Sequence, residues 1–427
     1  MKPILQLALD LENLSRCIQI AKESVKGGAD WLEVGTPLIK SEGMNAVREL
    51  RKNFTDFVIV ADMKTLDTGR FEVEMASKSG ANVICILGVA DDDTIKEAIR
   101  AGENYGSEIM VDLLGVSNPV ERAKEVESLG ADYVCLHTSI DEQMRGKIKF
   151  HTLKEVAEAV RIPVAIAGGV NSENVAEVLR KGASIIIVGG AITKTPKPEI
   201  ATSKIKTAML KMKKLRSEIK KYEEHDLQKV FLEVSTCNIS DAMHRKGAMS
   251  GIFGIKKGLK LVGRAFTVKT LDGDWAKPVE AIEKALRGDV IVIDAGGGNT
   301  AVWGELATWS CKNKGIAGVV IDGAARDIDD IIKIDFPLFV RNIAPNAGEP
   351  KGYGELGCEI VCGSVVVKPG DWIVGDDSGI VVVPKERAVE IANRAIDVRE
   401  KENRIREEIK CGSVLSVVME LEKWEKL

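Results

Sequence analysis

Residues 163–190 read PVAIAGGVNSENVAEVLRKGASIIIVGG and contain one complete repeat of the pattern that decides the fold. An apolar run, PVAIAGG at 163–169, precedes an amphipathic stretch that ends at Gly182, and a second apolar run follows at 183–190. Runs that are apolar on both faces are typical of parallel strands covered by helices. A glycine after an amphipathic stretch is a helix C-cap signal. The segment therefore predicts a strand, a helix and a second, parallel strand.

The same pattern recurs throughout the first 190 residues. Eight βα units in about 200 residues predict a closed (β/α)8 barrel, a TIM barrel, rather than an open sheet. A doubly wound open sheet is the alternative. The eight apolar runs, about 25 residues apart, are ILQLALD (4–10), ADWLEVG (29–35), FVIVADMK (57–64), ANVICILG (81–88), EIMVDLLG (108–115), ADYVCLHT (131–138), PVAIAGG (163–169) and ASIIIVGG (183–190).

The order of elements changes after about residue 229. Strand-like runs cluster late, and the last of them predicts hairpin breaks at KPGD (368–371) and DDSG (376–379). Residues 385–410 predict a long amphipathic helix that packs on its own domain or on a neighbouring subunit. We therefore predict an α/β, β-rich domain of the swivelling type with a C-terminal helix.

The segment between these regions has a different composition. Residues 201–226, ATSKIKTAMLKMKKLRSEIKKYEEHD, are basic and then acidic at helical spacing. A solvated connecting helix is the simpler interpretation. A nucleic-acid-binding stripe is the alternative, which the net charge of −4 disfavours. We divide the chain into a barrel (1–212), a helical linker (213–228) and a second domain (229–427).

Composition excludes several classes of protein. Hydrophobic residues are 45% and charged residues 29%, as in soluble globular proteins. The negative net charge and the 4% aromatic content predict no membrane association and no direct nucleic-acid binding. The N-terminus MKPILQLALD lacks the form of a signal peptide. The eight cysteines are expected to be buried, reduced thiols, and Cys358 and Cys362 lack the further soft ligands of a zinc site. These features predict a cytoplasmic protein.

Ionisable residues end most of the barrel runs. In a barrel, the carboxyl ends of the strands line the active site. A structural role could explain a single carboxylate at the end of one run. It does not easily explain ionisable residues at the same position of most of the runs. The residues that end the runs are Asp10, Glu33, Asp62, Lys64, Asp112, His137, Gly168, Gly169, Gly189 and Gly190.

These residue types indicate a specific chemistry. Glu33 and Asp62 supply the hard oxygen ligands that suit Mg²⁺. Lys64, two residues after Asp62, points the same way on a regular strand and can hold or protonate an enediolate oxygen. His137 is a candidate general acid or base, with a structural histidine as the alternative. The glycine pairs follow strands seven and eight, where barrels commonly bind phosphate, so the substrate should carry a phosphate.

The barrel motifs resemble one enzyme family. LQLALD, EVGTPLI, DMKTLDTG, the HT of LHTSIDEQ, AGGV and VGGAIT resemble the 3-hexulose-6-phosphate synthase branch of the orotidine-monophosphate decarboxylase superfamily, over about residues 1–210. The resemblance implies a Mg²⁺-dependent carbon–carbon lyase that reversibly joins ribulose 5-phosphate and formaldehyde into 3-hexulose 6-phosphate. It implies Glu33 and Asp62 as metal ligands, and Asp10, Lys64 and His137 around the enediolate. The four glycines would hold phosphate.

The resemblance also implies a dimer with shared sites, in which Asp67 enters the site of the partner subunit. The alternative within the superfamily is a 3-keto-gulonate-6-phosphate decarboxylase. That enzyme shares the DxK motif but has an arginine three residues after its histidine, where this chain has Ile140. Asp112 also replaces a glutamate of the decarboxylase, and both differences favour the synthase. Ser139 and Ile140 stand where the synthase usually has Gly-Tyr, so the exact substrate stays open.

Two motifs carry the chemistry of the second domain, GGGNTAVWGELAT (296–308) and GVVIDGAARDIDD (318–330). A glycine-rich turn after a strand suits the close approach of an anion to backbone N–H groups. Arg326 and Asp327 can pair a carboxylate-binding guanidinium with a metal-binding carboxylate. A buried structural Arg–Asp pair is the alternative.

Residues 229–400 resemble the family that contains the regulator of ribonuclease E activity and the class II hydroxymethylglutarate-type aldolases. STCNISDAM, GRAFTV, FPLFVR and PGDWIVGDDSGIVVVP carry this resemblance together with the two motifs. It implies Asp327 as the main ligand of a second divalent metal, Arg326 for a pyruvate-like 2-keto acid, and Glu305 near a metal-bound water, with the amides of Leu306 and Ala307 facing the substrate. Both families oligomerise, which implies a homo-oligomer. A non-catalytic, protein-binding regulator is the alternative for this half.

Overall fold

The structure is a computed structural model that describes residues 2–145, 150, 152–217, 219, 221–419 and 421. The described residues form two compact units. The first contains those of 2–143 and 150–221, and the second contains those from 222 onward together with Met144 and Arg145. Across these residues, no helix has both the length and the apolar character needed to cross a bilayer.

The first unit is a closed barrel of parallel strands, as predicted. Leu7 of the first strand pairs with Leu32 on one side and with Val188 of the last strand on the other, so no edge is left open. This closure rules out the doubly wound sheet. The strands are β1 Ile4–Leu9, β2 Trp31–Val34, β3 Val58–Thr65, β4 Val83–Leu87, β5 Glu108–Asp112, β6 Tyr133–His137, β7 Val164–Ala167 and β8 Ile185–Val188.

Both faces of these strands are buried because each faces a separate apolar layer. Leu5, Leu7 and Leu9 of β1 pack under the surrounding helices. The alternate residues, such as Ala8, face the barrel interior, where they pack with Val60, Val83, Cys85, Met110, Cys135, Ala165, Ala167, Ile185 and Ile187. The two layers explain why the runs are almost continuously apolar.

The helices of this unit begin and end largely where the sequence indicates. Asn13 and Asp91 cap helices through their side chains, and Gly106 and Gly130 end helices in the left-handed conformation. The helices are α1 Leu14–Lys26, α2 Thr36–Glu42, α3 Asn45–Asn53, α4 Gly69–Lys78, α5 Asp92–Tyr105, α6 Pro119–Leu129, α7 Ile140–Met144, α8 Leu153–Ala159, α9 Val175–Arg180, α10 Gly190–Thr193 and α11 Pro198–Lys211.

The structure differs from the solvated connecting helix predicted over 201–226. Helix α11 belongs to the barrel: it buries Ile205, Ala208 and Met209 and lies so close to α1 that a Cβ on Gly27 would be 2.4 Å from the Glu199 carbonyl oxygen. Residues 213–217 are not helical. Basic residues lie between these apolar positions. They dominate the composition of the segment, so the sequence did not indicate that one face of the helix is buried.

The second unit is built on a mixed sheet with the order β19-β18-β10-β11-β13-β14-β9. Its centre, β10-β11-β13-β14, is parallel, and β18 and β19 are antiparallel. This confirms the β-rich domain. The strands are β9 Phe253–Gly254, β10 Leu261–Lys269, β11 Val290–Asp294, β12 Ala301–Trp303, β13 Gly318–Ala325, β14 Leu338–Ile343, β15 Glu355–Leu356, β16 Ile360–Cys362, β17 Val365–Val367, β18 Trp372–Asp376 and β19 Gly379–Val383.

One of the two predicted hairpins is wrong. DDSG does connect the antiparallel pair β18 and β19. KPGD, in contrast, joins strands of different sheets, because β17 pairs with β16 while β18 pairs with β10. A turn signal indicates where a strand ends, but it does not indicate whether the next strand along the chain pairs with that strand.

The predicted C-terminal helix is present as α17, and it packs on its own domain. Its first half buries Ala388, Ile391, Ala392 and Ile396 in a cluster with residues of β18 and β19. The helices of this unit are α12 Leu227–Glu233, α13 Thr236–Ala242, α14 Ala276–Lys284, α15 Glu305–Lys314, α16 Ile328–Ile334, α17 Ala388–Lys410 and α18 Leu415–Val418.

The cysteines form no disulfide within the described residues. The prediction of burial is wrong for Cys237, on a solvent-facing position of a helix, and for Cys411, just after the C-terminal helix ends at Lys410. Both are exposed, while Cys358 is half-buried.

Candidate active sites

Four side chains at the mouth of the barrel form a continuous hydrogen-bonded relay. Lys64 Nζ donates to Asp62 Oδ1 and to Asp112 Oδ2, at 3.0 Å each. His137 Nδ1 lies 2.8 Å from the same Asp112 oxygen. The side chains of Asp62 and Asp112 are only 9% and 4% exposed, so solvent screens these charge interactions weakly.

Lys64 reaches its position by an irregular backbone. Its φ of +50° lies in the left-handed region, and the pairing of β3 with β4 shifts register between Ala61 and Thr65. The sequence prediction assumed a regular strand, on which residues 62 and 64 share a face. The two side chains do meet, but at a left-handed residue that costs a side chain other than glycine about 1–2 kcal/mol. Such strain commonly occurs at functional positions.

The relay fixes the charges of its members. Burial lowers the pKa of Lys64, but Asp112 and Asp62 outweigh burial and raise it, so the ammonium stays charged. Burial raises the pKa of Asp112, but His137 and Lys64 outweigh burial and lower it. Burial opposes charge on His137 as well, and the neighbouring Asp112 overrides it and raises the histidine pKa.

These shifts predict a pH dependence of stability. Because the folded pKa of His137 lies above its ordinary value of 6.5, the stability from its charged pair is complete below that value and is lost as pH rises through the raised pKa. We expect His137→Gln to lower the free energy of unfolding by about 2 kcal/mol near pH 5.5 and by clearly less near pH 8.5. Urea unfolding at both pH values measures the difference. The exposed His225 supplies the control, because its side chain is 75% exposed and His225→Gln should cost little stability at either pH. A pH-independent cost of His137→Gln would contradict a charged pair.

Beside the relay, Asp10, Glu33 and Asp62 form an acidic cluster. Asp10 lies at the open mouth, yet desolvation by the surrounding rim and repulsion from Asp62 raise its pKa to about 6. Burial, Asp62 and Asp10 raise the pKa of Glu33 well above its ordinary value. A cation bound between these carboxylates would reduce the repulsion between their negative charges.

The cluster fits a magnesium ion. Glu33 and Asp62 offer carboxylate oxygens, and Mg²⁺ is commonly bound by one or two carboxylates together with several waters. Among the described residues, no three acidic, cysteine or histidine side chains form a ready-made metal cage. A site of two carboxylates and water needs no such cage.

Sequence reasoning missed three residues that hold the cluster in place. Gln6 donates to Glu33 at 2.5 Å, and Thr36 Oγ1 donates to Asp62 Oδ2 at 2.8 Å. Gly35 leaves room for Asp10, because a Cβ at position 35 would lie 2.2 Å from Asp10 Oδ1. A glutamine inside the apolar run ILQLALD was a signal available in the sequence.

The predicted phosphate-binding glycines lie beside the same mouth. A Cβ on Gly189 would be 3.0 Å from Asp10 Oδ2, and one on Gly168 would be 2.2 Å from the Thr138 carbonyl oxygen. Gly168 and Gly169 have φ values of +93° and +77°, and Gly190 begins the short helix α10. Close approach of the backbone therefore requires glycine at position 168.

We expect Gly168→Ala to damage the site rather than only the fold. The added Cβ forces the loop away from Thr138 and strains the backbone, which should cost about 2 kcal/mol of stability. Displacement of the loop should also raise KM for the phosphate-bearing substrate predicted from the sequence at least ~10-fold. Gly106→Ala is the matched control, because Gly106 has φ +71° but open space around its Cβ position. Equal KM values for the two variants would contradict a role of the Gly168 loop in binding.

The structure does not place Asp67 with the other predicted residues. Asp67 lies on the exposed turn after β3, where its carboxylate accepts a hydrogen bond from the Thr68 N–H at 2.6 Å. The turn borders a cleft of about 500 Å³ that Arg70, Phe71 and Glu74 also line. A role in the site of a partner subunit stays a prediction.

In the second unit, the predicted residues lie at the carboxyl end of β13 and the start of α15. Asp327 has φ +56°, and its Oδ2 accepts a hydrogen bond from the Glu305 backbone N–H at 3.2 Å. Arg326 Nε lies 3.5 Å from the same oxygen. The side chains of Arg326 and Asp327 are 45% and 40% exposed, so the alternative of a buried structural pair is wrong. An open carboxylate beside a guanidinium suits a metal ion and an anionic substrate.

The glycine-rich turn is not an open anion site, as the sequence had suggested. The N–H of Gly296 donates to Asp294 Oδ1, that of Gly297 to the Asp322 carbonyl and that of Gly298 to the Ala295 carbonyl. Glycine is required for packing instead, because a Cβ on Gly298 would lie 2.1 Å from the carboxylate of Asp272.

An ion pair between the buried Asp322 and the half-buried Arg341 lies beneath this turn. Asp322 accepts a hydrogen bond from Arg341 through Oδ1 and one from the Gly363 N–H, at 2.7 Å, through Oδ2. Arg341 also donates to the Ser250 carbonyl at 3.0 Å. Sequence reasoning missed this pair because its members lie on different strands, β13 and β14.

Each half of the chain is similar to known proteins. The sequence is 39% identical to the 3-hexulose-6-phosphate synthase of Bacillus subtilis (strain 168) over 203 residues, which cover 47% of this chain and 96% of that protein. Residues 3–205 match the family described as orotidine 5'-phosphate decarboxylase / HUMPS. The chain belongs to this family. The 3-hexulose-6-phosphate synthase of Mycobacterium gastri is 36% identical over 205 residues, 48% of this chain and 99% of that one.

The orotidine 5'-phosphate decarboxylase / HUMPS domain is followed by a second family. Residues 236–382 match the RraA-like family, Aldolase/RraA. The crystal structure of Streptomyces coelicolor RraAS2, described as an unusual member of the RNase ES inhibitor RraA protein family, is 27% identical, with a TM-score of 0.41, and covers 44% of this chain and 100% of its own. The predicted fusion is confirmed. The predicted enzyme class, carbon–carbon lyase, is confirmed by the synthase relatives of the orotidine 5'-phosphate decarboxylase / HUMPS half.

Proposed function

We propose that the barrel catalyses the reversible, Mg²⁺-dependent aldol condensation of ribulose 5-phosphate with formaldehyde to 3-hexulose 6-phosphate. The observation that carries this proposal is the relay in which Lys64 contacts both Asp62 and Asp112 while His137 contacts Asp112. The relatives named 3-hexulose-6-phosphate synthase support the choice of reaction.

Each member of the relay has a part in such a reaction. The charged Lys64 stabilises negative charge on the oxygen next to the carbon that loses its proton. His137 exchanges a proton with the substrate, and Asp112 orients its ring through Nδ1. Asp10 lies at the mouth with a pKa of about 6, so it can hold or release a proton near neutral pH. Bound Mg²⁺, held by Glu33 and Asp62, would polarise the substrate carbonyl.

The side chain at position 140 favours the synthase over the decarboxylase. Ile140 is 56% exposed at the start of α7, three residues after His137, and it offers no positive charge to a substrate carboxylate. Decarboxylation of a keto-gulonate phosphate would lack the arginine expected there. We therefore propose a substrate without a carboxylate at that end.

We further propose that the chain works in the cytoplasm as a homo-oligomer. In this assembly Asp67 would complete the barrel site of a partner subunit. The two directions of the reaction, fixation of formaldehyde and supply of ribulose 5-phosphate, use the same groups.

Formaldehyde consumption with ribulose 5-phosphate and Mg²⁺ tests the barrel proposal. Wild type should consume formaldehyde, Asp62→Ala should lose the activity and Asp327→Ala should retain it. No consumption by wild type with saturating metal and substrates would refute the synthase, and release of carbon dioxide from keto-acid sugar phosphates would then support the decarboxylase.

For the second domain we propose metal-dependent turnover of a pyruvate-type 2-keto acid. The exposed Arg326 beside Asp327, with Glu305 at the start of α15, supports this role over that of a protein-binding regulator. Asp327 would hold the divalent ion and Arg326 the substrate carboxylate, with Glu305 near the metal-bound water and the amides of Leu306 and Ala307 facing the substrate. Turnover of oxaloacetate to pyruvate that is lost in Asp327→Ala would support the proposal. No turnover by wild type would favour the regulator.

A further inference from the structure

A buried glutamine in the barrel interior is not used by the proposed chemistry. Gln6 is fully buried, its Nε2 donates to Glu33 Oε2 at 2.5 Å, and its Oε1 has no hydrogen-bond partner in the described part of the chain. A buried polar atom without a partner costs about 1–3 kcal/mol. An apolar residue would fill this position without that cost, so packing alone does not explain the glutamine.

The position of Gln6 relates it to the acidic cluster. Alternation along β1 places Gln6, Ala8 and Asp10 on the interior face, and Ala8 lies in register with Glu33 of β2. Gln6 therefore lies one layer deeper than the carboxylates. Its hydrogen bond occupies one oxygen of Glu33 and fixes the rotation of the carboxylate, so that the other oxygen has a defined orientation.

We propose that Gln6 is a positioning residue for a divalent cation at Glu33 and Asp62. Its amide N–H holds Glu33 in the ligating orientation, and its unpartnered Oε1 accepts a hydrogen bond from a water that accompanies the cation. Mg²⁺ in proteins usually keeps several waters, and buried waters bind to polar groups that lack other partners. This inference rests on the proposed function, because it assumes the same metal site.

Calorimetric titration of Mg²⁺ into the full chain tests the inference. All proteins carry Asp327→Ala, so that the second domain does not contribute binding. Loss of partners that orient metal ligands typically weakens metal binding 10–100-fold, so Gln6→Met should weaken Mg²⁺ binding by about that factor. Asp62→Ala should abolish it. Ile187→Met is the matched control, because Ile187 is the interior-facing neighbour of Gln6 on β8 and should bind Mg²⁺ as the parent does.

A second variant covers the case in which Gln6→Met fails to fold. Gln6→Asn keeps the amide but shortens the side chain by about 1.5 Å, so it should lose the contact with Glu33 and weaken Mg²⁺ binding similarly. Unchanged Mg²⁺ affinity in the folded Gln6 variants would overturn the inference and leave the proposed function intact, even if their melting temperature fell. Equal weakening in Ile187→Met would assign the effect to packing and overturn it as well. No Mg²⁺ binding by the parent would overturn this inference together with the proposed metal, and wild-type formaldehyde consumption with a chelator present would then show whether the aldol reaction itself survives.

Discussion

Lys64→Met is expected to lower kcat/KM for formaldehyde fixation by about 1,000-fold. The lysine carries positive charge into contact with two nearly buried carboxylates. In the proposed reaction, it stabilises the negative charge that develops on the substrate oxygen. Methionine has a similar length but no charge, so Asp62 and Asp112 would then face the developing oxyanion without compensation. Steady-state formaldehyde consumption measures the effect, and circular dichroism shows whether the variant is folded.

Lys206 offers a control for the loss of a lysine ion pair. Lys206 contacts Asp30 in the same barrel, and its side chain is 13% exposed. Lys206→Met should lower stability but keep kcat/KM close to that of wild type. Full activity in folded Lys64→Met, or equal loss in both variants, would contradict the proposed role of Lys64.

Asp322→Ala is expected to destabilise the second domain by about 2–3 kcal/mol. The substitution removes the partner of Arg341 and leaves the Gly363 N–H without its acceptor in a buried position. Urea unfolding followed by tryptophan fluorescence reports mainly on this domain, because only Trp31 of the six tryptophans lies in the barrel.

An exposed ion pair in the same domain provides the comparison. Asp330 pairs with Lys333 at 2.8 Å, with side chains 60% and 74% exposed, so Asp330→Ala should cost less than about 1 kcal/mol. The formaldehyde consumption proposed for the barrel should not change in either variant. A cost of Asp322→Ala no larger than that of Asp330→Ala would contradict the stabilising role of Asp322.

The barrel was predictable because its strands are buried on both faces. Continuous apolar runs, regular spacing and glycine caps all indicate the same architecture, and the ends of the runs then specify which side chains share the mouth. Asp10, Glu33, Asp62, Lys64, Asp112 and His137 are indeed brought together there.

The supporting contacts were not predictable in the same way. Gln6 and Glu33 lie on neighbouring strands, and Asp322 and Arg341 on another neighbouring pair, so nothing in the spacing along the chain marks either contact. The prediction of an anion site at the glycine-rich turn was wrong for a similar reason. Glycines in the sequence indicate that an anion could come close to the backbone N–H groups. They do not indicate that these N–H groups already donate hydrogen bonds to oxygens of the chain itself. Asp67 stays a prediction, since its proposed role depends on a second copy of the chain.

The left-handed backbone at Lys64 makes stability and activity favour different residues at position 64. Glycine would adopt this backbone conformation without strain. Selection of a variant library for heat resistance alone should therefore favour replacement of the lysine. Selection of the same library for formaldehyde tolerance should favour retention of the lysine. Deep sequencing of the two populations should then show glycine enriched at position 64 in the first and lysine retained in the second.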